Sequence, residues 1–148
     1  MNILPAFNES GDLPPGVHRA PLDEIIAVFG TGSAQRRIVA QRLQHIRDEA
    51  LHTGHVARFV LFGSFITAHP DPNDVDVFLV MDDAFNVEEI EGEAAILFNH
   101  MLAQAWFGAS VFWIRQSAAF GGEEAMIEHW QIKRDGSLRG IVEVVADD

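Results

Sequence analysis

The sequence predicts an α/β (α+β) domain built on a single mixed β-sheet packed with helices. Three observations carry that expectation. Short β-branched and aromatic runs, "VARFVLF" (56–62), "VDVFLVM" (75–81), "ASVFWIR" (109–115) and "GIVEVV" (140–145), alternate with stretches whose apolar residues recur at helical steps. Glycines and an Asp-Gly pair mark the boundaries between them. The run at 75–81 is nearly all apolar, as a central strand buried on both faces requires. The 148 residues suffice for one domain with one sizeable core, and no internal repeat or linker divides them.

Taken in order, residues 1–20 are rich in Pro, Gly and Asn and read as an extended lead-in without a core of its own. Pro21 suits a first helical turn, Asp23 and Glu24 complement the helix dipole, and "LDEIIAVF" closes at Gly30. Ser33 can cap a longer helix whose stripe of Val39, Leu43, Ile46 and Ala50 follows steps of four, three and four, ending at Gly54. The strands at 56–62 and 75–81 come next. After an acidic connection, Ile90, Ala94, Leu97, Met101 and Ala105 predict one further helix, stopped by Gly108. A strand at 109–115, a short helix in "EEAMIEHWQI" and a last strand at 140–145 complete the order α-α-β-β-α-β-α-β.

Composition narrows the function. The net charge is −12, from 22 acids against 10 Lys and Arg, so a phosphate backbone would on average be repelled and non-specific nucleic-acid binding is not expected. Arg36, Arg37, Arg42 and Arg47 in "AQRRIVAQRLQHIRDEA" read as the solvated face of a helix. No apolar run approaches the roughly 18 residues of a membrane span, and the start lacks the pattern of a signal peptide. Without cysteine there is no disulfide framework or thiolate metal site, and a cytoplasmic setting is the simplest fit.

The chemistry concentrates in "FVLFGSFITAHPDPNDVDVFLVM" (59–81). Side chains alternate across a strand, so Asp74 and Asp76 share a face. Two carboxylates about 6–7 Å apart along that face can flank a divalent cation. Mg²⁺ is the natural candidate, or Mn²⁺ in its place, because a hard cation takes oxygen ligands and keeps positions open for substrate phosphates. Gly63 lets backbone pass close to a ligand, and amides of the following turn can donate to phosphate oxygens with help from the Ser64 hydroxyl.

A strand ending in Gly-Ser, followed ten positions later by a strand carrying Asp-x-Asp, resembles the signature of the nucleotidyltransferase superfamily related to DNA polymerase beta. The lead-in is also similar to that of small bacterial proteins bearing this core. The resemblance spans about residues 56 to 115. It implies that Gly63 and Ser64 contact the phosphates of a nucleoside triphosphate and that Asp74 and Asp76 bind the metal. A nucleotidyl group would then pass to an acceptor hydroxyl. Two positions depart from the pattern. Phe65, Ile66 and Thr67 stand where many members carry a basic residue, and Ser110 stands where active members carry a third acid. A hydroxyl is a poor Mg²⁺ ligand and no base at neutral pH. Glu143 would substitute if the last strand lay beside Asp76. The departures support a rival reading, a degenerate fold acting as a binding or regulatory module, antitoxin-like, with a small helical protein as partner.

The remaining candidates have plainer readings. Asp71 lies between two prolines as a turn residue, and His69 is a surface-loop histidine near the signature. His45 and His52 are seven apart on one helix, outside the four-residue spacing of zinc helices. Trp106, Phe107, Phe112, Trp113 and Trp130 read as core, and "DDAFNVEEIEGE" as a solvated acidic connection.

Overall fold

A computed structural model describes residues 4–146 of the chain. One five-stranded mixed sheet runs in the order β1-β5-β2-β3-β4, from β1 (Val17–Pro21), β2 (Val56–Phe62), β3 (Val75–Met81), β4 (Ala109–Arg115) and β5 (Ile141–Val145). β2 pairs antiparallel with β3 and β5, while β3–β4 and β1–β5 are parallel. β3 lies inside the sheet and, apart from half-buried Asp76, is buried throughout, as its unbroken apolar run predicts.

Among the described residues, four α-helices pack on this sheet: α1 (Leu22–Phe29), α2 (Ala34–His52), α3 (His100–Phe107) and α4 (Glu123–His129). Ser33 caps α2 by accepting from the Arg36 amide at 3.1 Å, which satisfies one of the orphan donors of the first turn. Val39, Leu43, Ile46 and Ala50 are buried beneath it. The Arg47 guanidinium lies 5.0 Å from the centre of the Phe59 ring, so α2 covers the face that Phe59 and Leu79 share in register. The opposite face carries Phe62, Phe78 and Phe112. They stack with Trp130, just after α4, at centroid distances of 4.4, 5.0 and 5.2 Å.

Four features depart from the sequence reading. The lead-in does have a share in the core: Leu4 and Leu13 are buried, and Val17–Pro21 pairs with β5 from the far end of the chain. Its apolar residues are too few and too widely spaced to show a period, so only the distant partner reveals them. Gly140 makes that docking possible, since a Cβ there would lie 2.2 Å from the Pro14 carbonyl oxygen. The single helix expected through residues 90–105 is divided at Asn99, which is extended and caps α3 by accepting from the Leu102 amide. The segment before it, Gly92–Phe98, is a 3₁₀ helix. The break rotates the buried stripe onto Ala103 and Phe107, and leaves Met101 80% and Trp106 64% exposed, against the core position expected for both. Phe112 is also partly open, on the wall of a cleft.

The fourth departure is Arg36. It is buried, not solvated, and its guanidinium donates to four backbone carbonyls. These belong to Phe29 (3.0 Å), Phe65 (2.8 Å), Thr67 (2.6 Å) and His69. Burial lowers its pKa, and the charge of Asp71 opposes that shift. The hydrogen bonds tie the end of α1 and the start of α2 to the turn that follows β2. Arg36→Met should therefore lower stability by about 3 kcal/mol or more in urea unfolding, because it strands several buried acceptors at once. Arg36→Lys should restore only part of the loss, since an ammonium cannot span the four carbonyls. A methionine variant as stable as the parent would show that the carbonyls find other donors.

Candidate functional site

The site begins where β2 stops. Phe62 is the last strand residue, Gly63 adopts φ 81° and ψ −164°, and Ser64–Ile66 makes one 3₁₀ turn. The turn is closed locally by Thr67, whose Oγ1 donates to the Ser64 carbonyl at 2.7 Å, and from behind by Arg36. Beside it, Asp76 pairs in register with Phe62 on β2 and with Ser110 on β4. A Cβ placed on Gly63 would lie 1.8 Å from Asp76 Oδ2. Only glycine admits this carboxylate so close to the backbone, and only glycine adopts this conformation without strain.

Asp74 immediately precedes β3, and its Oδ2 accepts from Ser110 Oγ at 3.5 Å. Both carboxyls are harder to ionise than ordinary ones. Burial pushes Asp76 up to about 6, and the neighbouring charge of Asp74 adds to the shift against relief from Ser110 and Arg139. Burial also raises Asp74, with Ser110 and Arg42 opposing. The four residues singled out from sequence, Gly63, Ser64, Asp74 and Asp76, are thus brought to one end of the β2–β3 pair.

Asp76, Gly63 and Ser64 open onto a cleft of about 460 Å³, which Ser110 also lines. Its other wall is a tight hairpin after α4, closed by the bridge Ile132–Leu138, which brings Lys133, Arg134 and Arg139 to the cleft. The aromatic rings of Phe62, Phe112 and Trp130 line it from the sheet side, with His100 stacked on Phe112 at 4.8 Å. A second pocket, of about 390 Å³, shares Ser64 and Arg139 and adds Asp12 and His69. Buried Asp12 holds the hairpin from beneath: Lys133 Nζ is 3.1 Å from its Oδ2 and Arg139 Nε is 3.5 Å from its Oδ1. The lead-in therefore helps to position two of the cleft's three cations.

Sequence reasoning missed Lys133, Arg134, Arg139, Trp130 and His100. A signal for the cations was present: three of the chain's ten basic residues fall in "KRDGSLR", around the turn signal Asp135-Gly136. Nothing local said that this turn faces the Gly-Ser motif.

Glu143 does not join the site. β5 pairs with β2 and not with β3, and Glu143 stands opposite Val60. Its carboxylate is held by a two-pronged contact with Arg58, at 2.7 and 2.6 Å, with Arg19 at 3.4 Å. The position nearest Asp76 on β4 is filled by the Ser110 hydroxyl.

Elsewhere, one oxygen or nitrogen from each of His45, Glu49 and Glu93 lies within 4.8 Å of the others. Both Glu93 oxygens already have partners, one facing His45 and the other accepting from Trp106 at 2.6 Å.

A model of the family described as "Family of unknown function (DUF6932)" matches residues 5–145 of the chain. No curated protein and no solved structure matches it.

Two substitutions test the geometry. Gly63→Ala should cost on the order of 2 kcal/mol or more, from a left-handed φ and displacement of the Asp76 carboxylate, read as a lower urea midpoint. The second concerns pH. With its folded pKa raised to about 6, Asp76 binds its proton more tightly in the folded state than in the unfolded chain. In EDTA its ionisation therefore removes stability as pH rises from about 4 through 6, and the full penalty persists above that range. Asp76→Asn should then stabilise the protein by on the order of 2 kcal/mol at pH 8 and hardly at all at pH 4. Equal effects at the two pH values would show that the carboxylate is not strained.

Proposed function

We propose that this chain, which belongs to the DUF6932 family, binds a nucleoside triphosphate with Mg²⁺ and transfers its nucleotidyl group to an acceptor hydroxyl. The observation that carries the reading is the charge layout of one cleft. Asp76 stands over Gly63-Ser64 in a cleft that Lys133, Arg134 and Arg139 also line, and Asp74, outside that lining, is joined to it through the Ser110 hydroxyl. The volume of about 460 Å³ lies within the range of small-molecule sites.

The donor set fits a hard divalent cation. Burial raises the pKa of both carboxyls, the charge of Asp74 raises that of Asp76 further, and the missing Cβ of Gly63 leaves room for the Asp76 carboxylate against the backbone. Such a cation, held by Asp74 and Asp76, would supply charge neutralisation at the transferring phosphoryl group. The chain's own residues would do the rest. The Ser64 hydroxyl and the amides of its turn would donate to phosphate oxygens, on a turn that Arg36 keeps rigid. Lys133, Arg134 and Arg139 would take the charge that gathers on departing pyrophosphate. The sheet-side rings of Phe112 and Trp130 would exclude water from one side of the ligand.

The setting we propose is cytoplasmic. Among the described residues no helix is long and apolar enough to cross a membrane. One observation favours the second reading, a nucleotidyltransferase-like fold that acts as a binding or regulatory module towards a small helical protein. Ser110 pairs with Asp76 at the position from which another carboxylate would complete the cation site.

The two readings separate on ligand binding. Titration calorimetry of ATP, GTP, CTP and UTP should detect binding with Mg²⁺ that weakens at least tenfold in EDTA or in Asp74→Asn. Lys133→Gln and Arg139→Gln should each weaken it while leaving the metal dependence in place. Absence of any nucleotide binding at millimolar concentration would remove the transferase reading and leave the protein-partner module.

A further inference from the structure

We infer that His100 is the general base for the acceptor hydroxyl. The inference rests on the nucleotidyl-transfer reading of the same cleft. A hydroxyl that attacks phosphorus must lose its proton as the new P–O bond forms, and a positioned base contributes about 10²–10⁴-fold to such a step.

Elimination among the groups that line the cleft leaves one residue. Lys133, Arg134 and Arg139 carry ammonium and guanidinium groups, which donate and offer no lone pair. Ser110 is a neutral hydroxyl that already donates to Asp74. Asp76 lies against Gly63 on the side where the cation would bind. His100 remains, at the start of α3 and on the same cleft wall as Phe112.

Its tautomer suits the task. His100 Nδ1 lies 3.4 Å from the Val111 carbonyl, which can only accept, an arrangement that favours the tautomer with its proton on Nδ1 and its lone pair on Nε2. The imidazole lies against the Phe112 ring, tilted 35° to it at a centroid distance of 4.8 Å. The other histidine near the Gly-Ser turn is arranged the opposite way. His69 Nδ1 accepts from the Asp71 amide at 3.2 Å, so its proton sits on Nε2 and its lone pair is already used. The charged groups that share the cleft with His100 are Asp76, Lys133, Arg134 and Arg139.

In the step itself the acceptor O–H proton moves to His100 Nε2, and the oxygen's electron pair forms a bond to the α-phosphorus. The bond from that phosphorus to the α–β bridging oxygen breaks. Its electron pair leaves on pyrophosphate, opposite Lys133, Arg134 and Arg139. The imidazolium then returns its proton to water. Ser110 is not required to act as a base.

The test uses the full chain with MgATP, with water and the protein's own hydroxyls as acceptors. Calorimetry gives affinity, and pyrophosphate release is followed from about pH 5.5 to about 9. His100→Gln should leave affinity unchanged, slow release roughly 100-fold or more, and abolish the ionisation on which the wild-type rate rises with pH. In His100→Ala, added imidazole should restore part of the rate, which a merely structural role would not allow. A readout independent of turnover comes from NMR with Mg²⁺ and α,β-methylene ATP. Of the signals of the seven histidines, the one lost in His100→Gln should shift when the analogue binds. Three results overturn the inference while the nucleotide reading stands: wild type that binds MgATP but releases no pyrophosphate, a His100→Gln pH profile equal to wild type, or a His100 signal that the analogue leaves in place. No MgATP binding by wild type removes the nucleotide reading itself.

Discussion

Four backbone carbonyls converge on the Arg36 guanidinium, and the geometry of the candidate site depends on that contact. A five-donor planar fork is the only side chain able to satisfy acceptors from the end of α1 and from residues 65, 67 and 69 together. Without it the segment between β2 and β3 would carry unsatisfied carbonyls into a buried environment, an arrangement that folded chains avoid. With it, the carbonyls of this loop are satisfied while its Phe65 and Ile66 side chains enter the core. Gly63 and Ser64 sit at its start, and Asp74 and Asp76 follow its end.

That anchoring allows the site to hold a conflict. Desolvation raises the pKa of both Asp74 and Asp76, the charge of Asp74 raises that of Asp76 further, and each shift costs folding stability when the group ionises. A chain under selection for stability alone would place a neutral side chain at one of these positions. Keeping the strain, and keeping a glycine in a conformation that only glycine tolerates beside it, is characteristic of positions retained for function.

The charge of the cleft also inverts that of the whole molecule. The chain carries −12 overall, yet Lys133, Arg134 and Arg139 gather on one hairpin opposite Asp76. The single carboxylate of buried Asp12 contacts two of them, Lys133 and Arg139, and offsets one of the three positive charges. An acidic exterior would on average repel a long nucleic acid lying along it, whereas the hairpin concentrates positive charge at one recess.

The sequence by itself determined the units and their local chemistry. Strand periodicity and apolar runs located β2, β3, β4 and β5, glycine and cap residues bounded α1 and α2, and Gly63-Ser64 and the Asp74–Asp76 pair stood out at the ends of two apolar runs. All of these follow from sterics and solvation acting over a few residues, so they are written in consecutive letters. Tertiary structure alone decided how the units are placed. It set β5 between β1 and β2, which gave Glu143 to Arg58, and it drew Arg36 into the interior. It also swung Lys133, Arg134 and Arg139 across to Asp76 and put His100 on the same wall. Those outcomes depend on which distant surfaces bury each other. Pairings of that kind are decided by long-range packing, for which no stretch of neighbouring residues carries the signal.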